Sequence, residues 1–253
     1  MKKNITTETI PEPQDHIDTL ENSEALNVML NNHMEAFNAV KHALKTIELS
    51  VSKIVKLLLS DNKSKLIYVG AGTSGRIAVQ DGVELYPTFG WPNKRVKFII
   101  AGGKRALTKS IEGAEDLKNT NAREIVKNTI KPSDIVIGLA ASGSTKFTVD
   151  IIKYANEIGA FTIGISNNMN SVLEYNSKIP IVLNTGTEIV AGSTRLKAGT
   201  AQKICLNLLS TLVMTRLGNV KKGMMNNLMV TNEKLRLRKK MINSKLLFKE
   251  KGY

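Results

Sequence analysis

A chain of 253 residues, 42% hydrophobic and 23% charged, can bury a sizeable core in one large domain and has the balance of a water-soluble globular protein. Its one cysteine, Cys205, excludes an intrachain disulfide and fits a reducing compartment. The net charge is +14, and the stretch 221–253, with ten Lys/Arg and two Glu, holds +8 of it.

Lys2 and Lys3 are followed by Asn4, Thr6, Thr7 and Glu8 rather than by an apolar run. No export signal is read there, and the expected location is the cytoplasm. The stretch to about Asn22 is polar, holds Pro11 and Pro13, and is expected to form an extended arm. Helices are predicted over 23–44, where Leu26, Met29, Leu30, Phe37 and Val40 fall near helical spacing, and over 47–59, with Asp61-Asn62-Lys63 as the break. A βα rhythm follows. Strands are predicted at 66–69, 96–101, 134–139, 161–165 and 179–183. Helical stretches are predicted to about Leu85, near Arg105, over 122–129 and over 148–158. A long helix over 195–217 is stopped by Gly218. Its oily part, 204–217, carries Asn207, Ser210, Thr211, Thr215 and Arg216 and is too short and polar to span a bilayer, so no membrane partner is expected.

Near-continuous apolar strands separated by helices imply an α/β fold with a five-stranded parallel sheet covered on both faces. The chain divides into an arm with helices (1–60), a core (61–220) and a basic tail (221–253). The tail reads as an amphipathic helix whose Leu228, Leu235, Met241, Ile242, Leu246 and Leu247 need a surface to pack on. A basic tail can bind nucleic acid, yet only Phe248 and Tyr253 would serve as stacking aromatics. A solvated face is the better reading, and no nucleic-acid partner is expected.

Two loops carry the chemistry. Each follows a strand and opens a helix, an arrangement that offers backbone N–H groups and the positive helix end to an anion. The first, Gly70-Ala71-Gly72-Thr73-Ser74-Gly75, fits G-x-G-x-x-G. A dinucleotide site also wants a carboxylate at the end of the second strand, and here that strand ends Ala101-Gly102-Gly103. Thr73, Ser74 and the following Arg76 suit a phosphate better. The second loop, Ser142-Gly143-Ser144-Thr145, brings three hydroxyls to a helix start. Alone it could be an N-cap. Two such loops on parallel strands can converge in the crevice beyond the strand C-termini. The bare alternative for either is a tight turn without a ligand. The sequence holds no Cys/His cluster.

All three histidines, His16, His33 and His42, precede the core. Acid–base work in the core then falls to carboxylates, lysine or tyrosine. Glu84 and Glu115 could both reach the crevice edge, although any single Glu is by default a solvated surface residue.

At these residues the sequence resembles the N-acetylmuramic acid 6-phosphate etherases, which share the sugar-isomerase (SIS) fold with the glucokinase regulatory proteins. The resemblance runs over nearly the whole chain, from about Thr7. It is carried by Leu66 to Arg76, Ala101-Gly-Gly103, Glu112-Gly-Ala-Glu115, Ala140-Ala-Ser-Gly143, Thr231-Asn-Glu-Lys234 and, most specifically, Gly192-Ser-Thr-Arg-Leu-Lys-Ala-Gly-Thr-Ala-Gln-Lys203. It implies a lyase that cleaves the ether between C3 of the sugar and D-lactate with neither metal nor cofactor, which agrees with the missing Cys/His cluster. Glu84 then corresponds to the proton donor and Glu115 to the second carboxylate, the candidate base. A general acid needs surroundings that keep it protonated near neutrality. The resemblance implies a sugar-phosphate substrate held by Gly72, Thr73, Ser74, Ser142, Gly143, Ser144, Thr145, Glu188, Ser193, Arg195 and Lys197. It also implies a homodimer with sites shared between subunits.

The sequence departs from the family pattern in places. Val83 and Tyr86 flank Glu84 where the family has Ser and Pro, Ser144 stands for an Arg, Ile10-Pro11 for Arg-Asn, and Asn32-His33 for Glu-Asp. The family's small C-terminal helical domain is expected to be largely absent. A non-catalytic sugar-phosphate-binding regulator is the alternative these departures keep open. A sugar-phosphate isomerase would share the loops but not the Gly192 to Lys203 run.

Overall fold

A computed structural model describes residues 5–111, 113, 124, 126–229, 236, 237 and 239. Glu112, Glu115, Thr231 to Lys234 and the tail residues Leu235, Met241, Ile242, Leu246 and Leu247 lie outside the described residues.

Five parallel strands, β1 (Leu66–Gly70), β2 (Val96–Ile100), β3 (Ile135–Ala140), β4 (Phe161–Ser166) and β5 (Ile179–Val182), pair in the order β2-β1-β3-β4-β5. Ile67 lies opposite Lys97 on one side and Val136 on the other, and Gly70 lies opposite Ile100 and Leu139. The chain leaves β1 toward β2 on one side and returns to β3 on the other. That reversal between β1 and β3 opens a crevice beyond the strand C-termini, where open α/β sheets bind ligands.

Alternation along the buried strands splits the core in two. Leu66, Tyr68, Ile137, Leu139, Ile163 and Ile165 face a layer made by α1 (Asn22–Ser60), α2 (Gly72–Val83) and α6 (Lys197–Arg216). Ile67, Val69 and Val136 face the opposite layer, with Ile151, Ile152 and Ala155 of α4 (Lys146–Glu157) and Leu173 of α5 (Val172–Asn176). Each fully buried Ile or Leu contributes about 1.5–3 kcal/mol against exposure. The expected covered parallel sheet is therefore observed.

Several local expectations are corrected. The two N-terminal helices are one 39-residue helix, α1, because no Gly or Pro interrupts 45–46; Asp61 ends it as expected. Its buried apolar residues, Ala36, Ala39, Val40, Ala43, Ile47, Val51, Ile54 and Leu58, recur at helical spacing, whereas 22–35 contain no buried side chain. The arm is not extended but makes three short 3₁₀ turns between Thr6 and Thr19. The helix predicted near Arg105 is a 3₁₀ turn, Gly103–Leu107. Two short helices, α3 (Leu85–Phe89) and α5, were unforeseen. So was a hairpin of β6 (Val220–Lys221) and β7 (Met224–Met225), closed by Lys222 and Gly223 at φ 51° and 74°. Leu228, expected on a tail helix, is buried after that hairpin. Among the described residues no helix is long and apolar enough to cross a membrane.

Candidate active site

The crevice at the β1/β3 reversal is a cleft of about 460 Å³. Its walls are the loop after β1 (Ala71, Gly72, Thr73, Ser74) and the loop after β3 (Ala141, Ser142, Ser144, Thr145, Lys146), with Gly192 and Thr194 along one rim. The first loop is packed tightly against its own strand. A Cβ on Gly70 would stand 2.9 Å from the Cα of Gly75, so both glycines are needed for β1 and α2 to approach so closely. Gly143 has φ 66°, and a Cβ there would meet Ser171 at 2.3 Å. In the second loop Ser142 Oγ accepts from the backbone N–H of Ser144 (3.2 Å) and from its hydroxyl (3.0 Å), which fixes the rim of the loop.

The helix ends decide what the cleft can bind. Neither α2, entered at Ala71, nor α4, entered at Thr145, has a side-chain cap hydrogen bond. By contrast, α5 carries a complete capping box between Ser171 and Glu174. The uncapped first-turn N–H groups of α2 and α4, and their positive dipole ends, are therefore available where the two loops converge. The capping explanation of the second loop fails, since the Thr145 hydroxyl caps nothing. Hydroxyls of Thr73, Ser74, Ser142 and Thr145 add donors. The arrangement is a double anion cradle suited to a phosphate.

Arg76 is not part of it. Its guanidinium donates to the carbonyls of Ala106 (2.9 Å) and Lys109 (3.1 Å), anchoring the segment after β2. The structure likewise does not bring Glu188, Ser193, Arg195 and Lys197 to the cleft lining. Arg195 is exposed and Ser193 sits in the turn before α6. Glu188 is fully buried and accepts from the backbone N–H groups of Lys197 (3.2 Å) and Ala198 (2.9 Å), capping α6 from a distance in sequence. Burial pushes its carboxyl above the usual range, against those two N–H groups and the Lys197 charge. Burial pushes the Lys197 ammonium down, opposed by Glu188, Glu35 and Asp15. Asn167 ties the same helix to the sheet, donating to Leu183 and Ala198 carbonyls and accepting from Gln202.

Glu84 lies elsewhere. It is the C-terminal cap of α2, exposed, and twelve helical residues beyond Gly72, or ~18 Å along the axis. Within one chain it does not reach the cleft. Glu115 lies outside the described residues. Near the far half of α2, Asp81 is buried and accepts from Asn207 (2.8 Å), Ser210 (3.1 Å) and the Tyr68 hydroxyl (3.4 Å). Burial raises its pKa against those hydrogen bonds. Burial and the Asp81 charge push the Tyr68 phenol well above its ordinary value. This network joins α2 to α6.

Sequence reasoning missed the arm. Ile5 and Glu8 line the cleft, held by Thr6 and Thr7 on Asn168. The only signal was the polar Asn167-Asn168 pair directly after β4. Among the described residues no group of three or more His, Cys, Asp or Glu is arranged to hold a metal ion. A larger groove of about 980 Å³ between α1 and α6 is lined by apolar Leu44, Ile47, Val51, Val55, Leu208 and Leu212; it lies away from the loops and strand ends.

Comparison with known proteins identifies the family. The sequence matches the glucokinase regulatory protein N-terminal SIS domain over residues 50–156 and the SIS domain over residues 111–212. It is 41% identical, over 96% of this chain and 82% of the relative, to an N-acetylmuramic acid 6-phosphate etherase of Bacillus cereus (strain AH187). The chain belongs to the N-acetylmuramic acid 6-phosphate etherase family. A Bacillus anthracis etherase matches equally, at 41% identity over the same shares of both chains. The fold extends beyond the etherases. A protein of Escherichia coli CFT073 has a TM-score of 0.57 at 15% identity, covering 81% of this chain and 97% of its own. A Listeria monocytogenes putative sugar-phosphate isomerase has 0.56 at 17%, covering 79% and 93%. At such identities the likeness is one of fold alone.

Proposed function

We propose that this chain is a carbon–oxygen lyase that removes the D-lactyl ether of N-acetylmuramic acid 6-phosphate, giving N-acetylglucosamine 6-phosphate and D-lactate. The observation that carries the reading is the cleft between two uncapped helix N-termini in a chain 41% identical to etherases. Phosphate is bound by the first-turn N–H groups of α2 and α4 with the hydroxyls of Ser74, Thr73, Ser142 and Thr145. In the open-chain sugar the C1 aldehyde acidifies the C2 proton. One carboxylate removes that proton, the C3–O bond breaks as the departing lactate oxygen takes a proton, and water then adds across the C2–C3 double bond. Glu84 and Glu115 are the acid and base in this scheme.

Glu84 cannot serve the cleft of its own chain from ~18 Å away along α2. The reading therefore includes a homodimer in which Glu84 of each chain completes the other's site. Two features support it. Val83, beside Glu84, is exposed. Leu26, Leu30, Met34, Phe37 and Leu44 form an exposed apolar stripe along α1, continuous at Leu44 with the α1/α6 groove. Docking of a second copy would also supply the burial that a general acid needs. A cytoplasmic location accords with a phosphorylated substrate.

The test is D-lactate release from N-acetylmuramic acid 6-phosphate by the purified chain. Release that disappears in Glu84→Gln supports the reading. Binding of the substrate without release makes the chain a sugar-phosphate sensor instead.

A further inference from the structure

The N-terminal arm is built into the cleft. Asn168, 4% exposed, spends its whole amide on this junction. Its Oδ1 accepts from the Thr6 hydroxyl (2.8 Å) and the Thr7 N–H (3.4 Å), and its Nδ2 donates to the Thr7 hydroxyl (3.1 Å) and the Ala141 carbonyl (2.9 Å). The Thr7 carbonyl accepts from the Gly192 N–H (2.9 Å), and the Thr7 side chain is fully buried. The arm therefore bridges the loop after β3 and the Gly192 rim. Its next residue, Glu8, points its carboxylate over that rim. Glu8 Oε2 lies 2.7 Å from where a Cβ on Gly192 would stand, so the bare glycine, at φ 74°, leaves the carboxylate room over the rim. Glu8 lines the cleft, is exposed, and its carboxylate has no hydrogen-bond or ion-pair partner among the described residues.

A carboxylate in a cleft otherwise furnished with donors has one sensible use. It repels phosphate, and so it faces the end of the ligand opposite the helix N-termini. It accepts hydrogen bonds and donates none, and so it suits hydroxyl or amide N–H groups. We propose that Glu8 is the specificity-determining residue for the sugar end of the substrate, accepting from a sugar hydroxyl or the acetamido N–H and fixing which end of the ligand lies on the helix N-termini. The proposal rests on the sugar-phosphate reading of the cleft. It assigns Glu8 an orienting role and leaves proton transfer to Glu84 and Glu115.

The test is binding, measured by calorimetry on the full chain with two probes, N-acetylglucosamine 6-phosphate and inorganic phosphate, beside lactate release by the unaltered chain. A hydrogen bond to a charged acceptor corresponds to a loss of about tenfold or more on truncation. Glu8→Ala is expected to weaken the sugar phosphate by that factor and to leave inorganic phosphate within about twofold. Glu8→Gln, which still accepts through its amide oxygen, is expected to recover most of the loss. Glu8→Ser gives the same readout should the alanine chain not fold. Unchanged sugar-phosphate affinity in the truncations overturns the proposal. So does an equal loss for both probes, which would make the arm a general lid. An unaltered chain that binds sugar phosphate but releases no lactate defeats the etherase reading while the Glu8 comparison stands. An unaltered chain that binds sugar phosphate no better than phosphate defeats the Glu8 proposal even if lactate is released.

Discussion

The two ends of α2 are built for different work. At its N-terminus, Gly70 and Gly75 bring backbone against backbone, Ser74 is buried, and the uncapped first turn opens on the cleft. At its C-terminus, Glu84 and Val83 stand exposed, and neither lines the cleft. In the proposed reading, the half of the site that binds is complete in one chain, while the half that does chemistry is not. A SIS-fold sheet supplies the phosphate cradle by itself, since that follows from strand order and helix polarity. The proposed proton donor, Glu84, is carried by the helix ~18 Å away.

Substitutions at either end of α2 separate the two roles. The largest effect is expected from Glu84→Gln. Loss of a general acid lowers kcat by about 10²–10⁴. Because Glu84 is exposed and its carboxylate has no hydrogen-bond or ion-pair partner among the described residues, denaturant unfolding should shift by less than about 0.5 kcal/mol. A matching loss of stability would show that the far end of α2 is structural after all. Next comes Gly143→Ala, where the φ of 66° and the contact with Ser171 are both violated. It should destabilise the fold by about 2–4 kcal/mol, read as a lower denaturant midpoint, and a neutral result would mean the second loop is loosely held.

Ser74→Ala and Ser142→Ala are smaller. Each removes one hydroxyl donor from a charged ligand and should raise KM by about tenfold with kcat nearly kept. A fall in kcat alone would move those hydroxyls from binding to chemistry.

The smallest effect concerns the network that fixes α2 to α6. Asp81 is an acid whose folded pKa is raised by burial above its ordinary value of 3.8. The fold thus holds its proton to higher pH than the unfolded chain does. Below 3.8 both states are protonated and nothing is lost; as pH rises through the raised pKa the wild type loses stability. Asp81→Asn keeps acceptors for Asn207 and Ser210 without that penalty. Its stability relative to wild type should rise as pH increases from about 4 toward neutrality. A difference flat with pH would mean that Asp81 ionises freely in the fold.

Much of this molecule was legible in its residues. The strands announced themselves as apolar runs such as Leu66-Ile-Tyr-Val69, bounded by glycines or by polar turns. The two loops were legible because hydroxyls and glycines cluster at only two strand–helix junctions. What escaped was whatever depends on distance. The separation of Glu84 from the cleft follows from uninterrupted helix between Gly72 and Val83, and nearness to a loop in sequence is not nearness in space. The arm's place over the cleft rests on Thr7 meeting Asn168, 161 residues away, and no local pattern encodes such a contact. The resemblance put Glu188 among the substrate-binding residues. Its burial under the α6 N-terminus, where it satisfies two N–H groups, depends on how that run folds back. The Arg76 side chain, which suited phosphate on paper, found two backbone carbonyls instead.

In the proposed dimer each working site joins the cleft of one chain to Glu84 of another. This sharing is tested by D-lactate release from a Glu84→Gln chain co-expressed with a Ser74→Ala/Ser142→Ala chain, both assayed alone as controls at low substrate. If the site is shared, a mixed dimer contains one site with an intact cleft and an intact Glu84. Random pairing should then restore about a quarter of wild-type activity from two chains that are each nearly inactive. If mixed dimers isolated with two different tags release no more lactate than the separate variants, Glu84 acts within its own chain or not at all, and the shared site is contradicted.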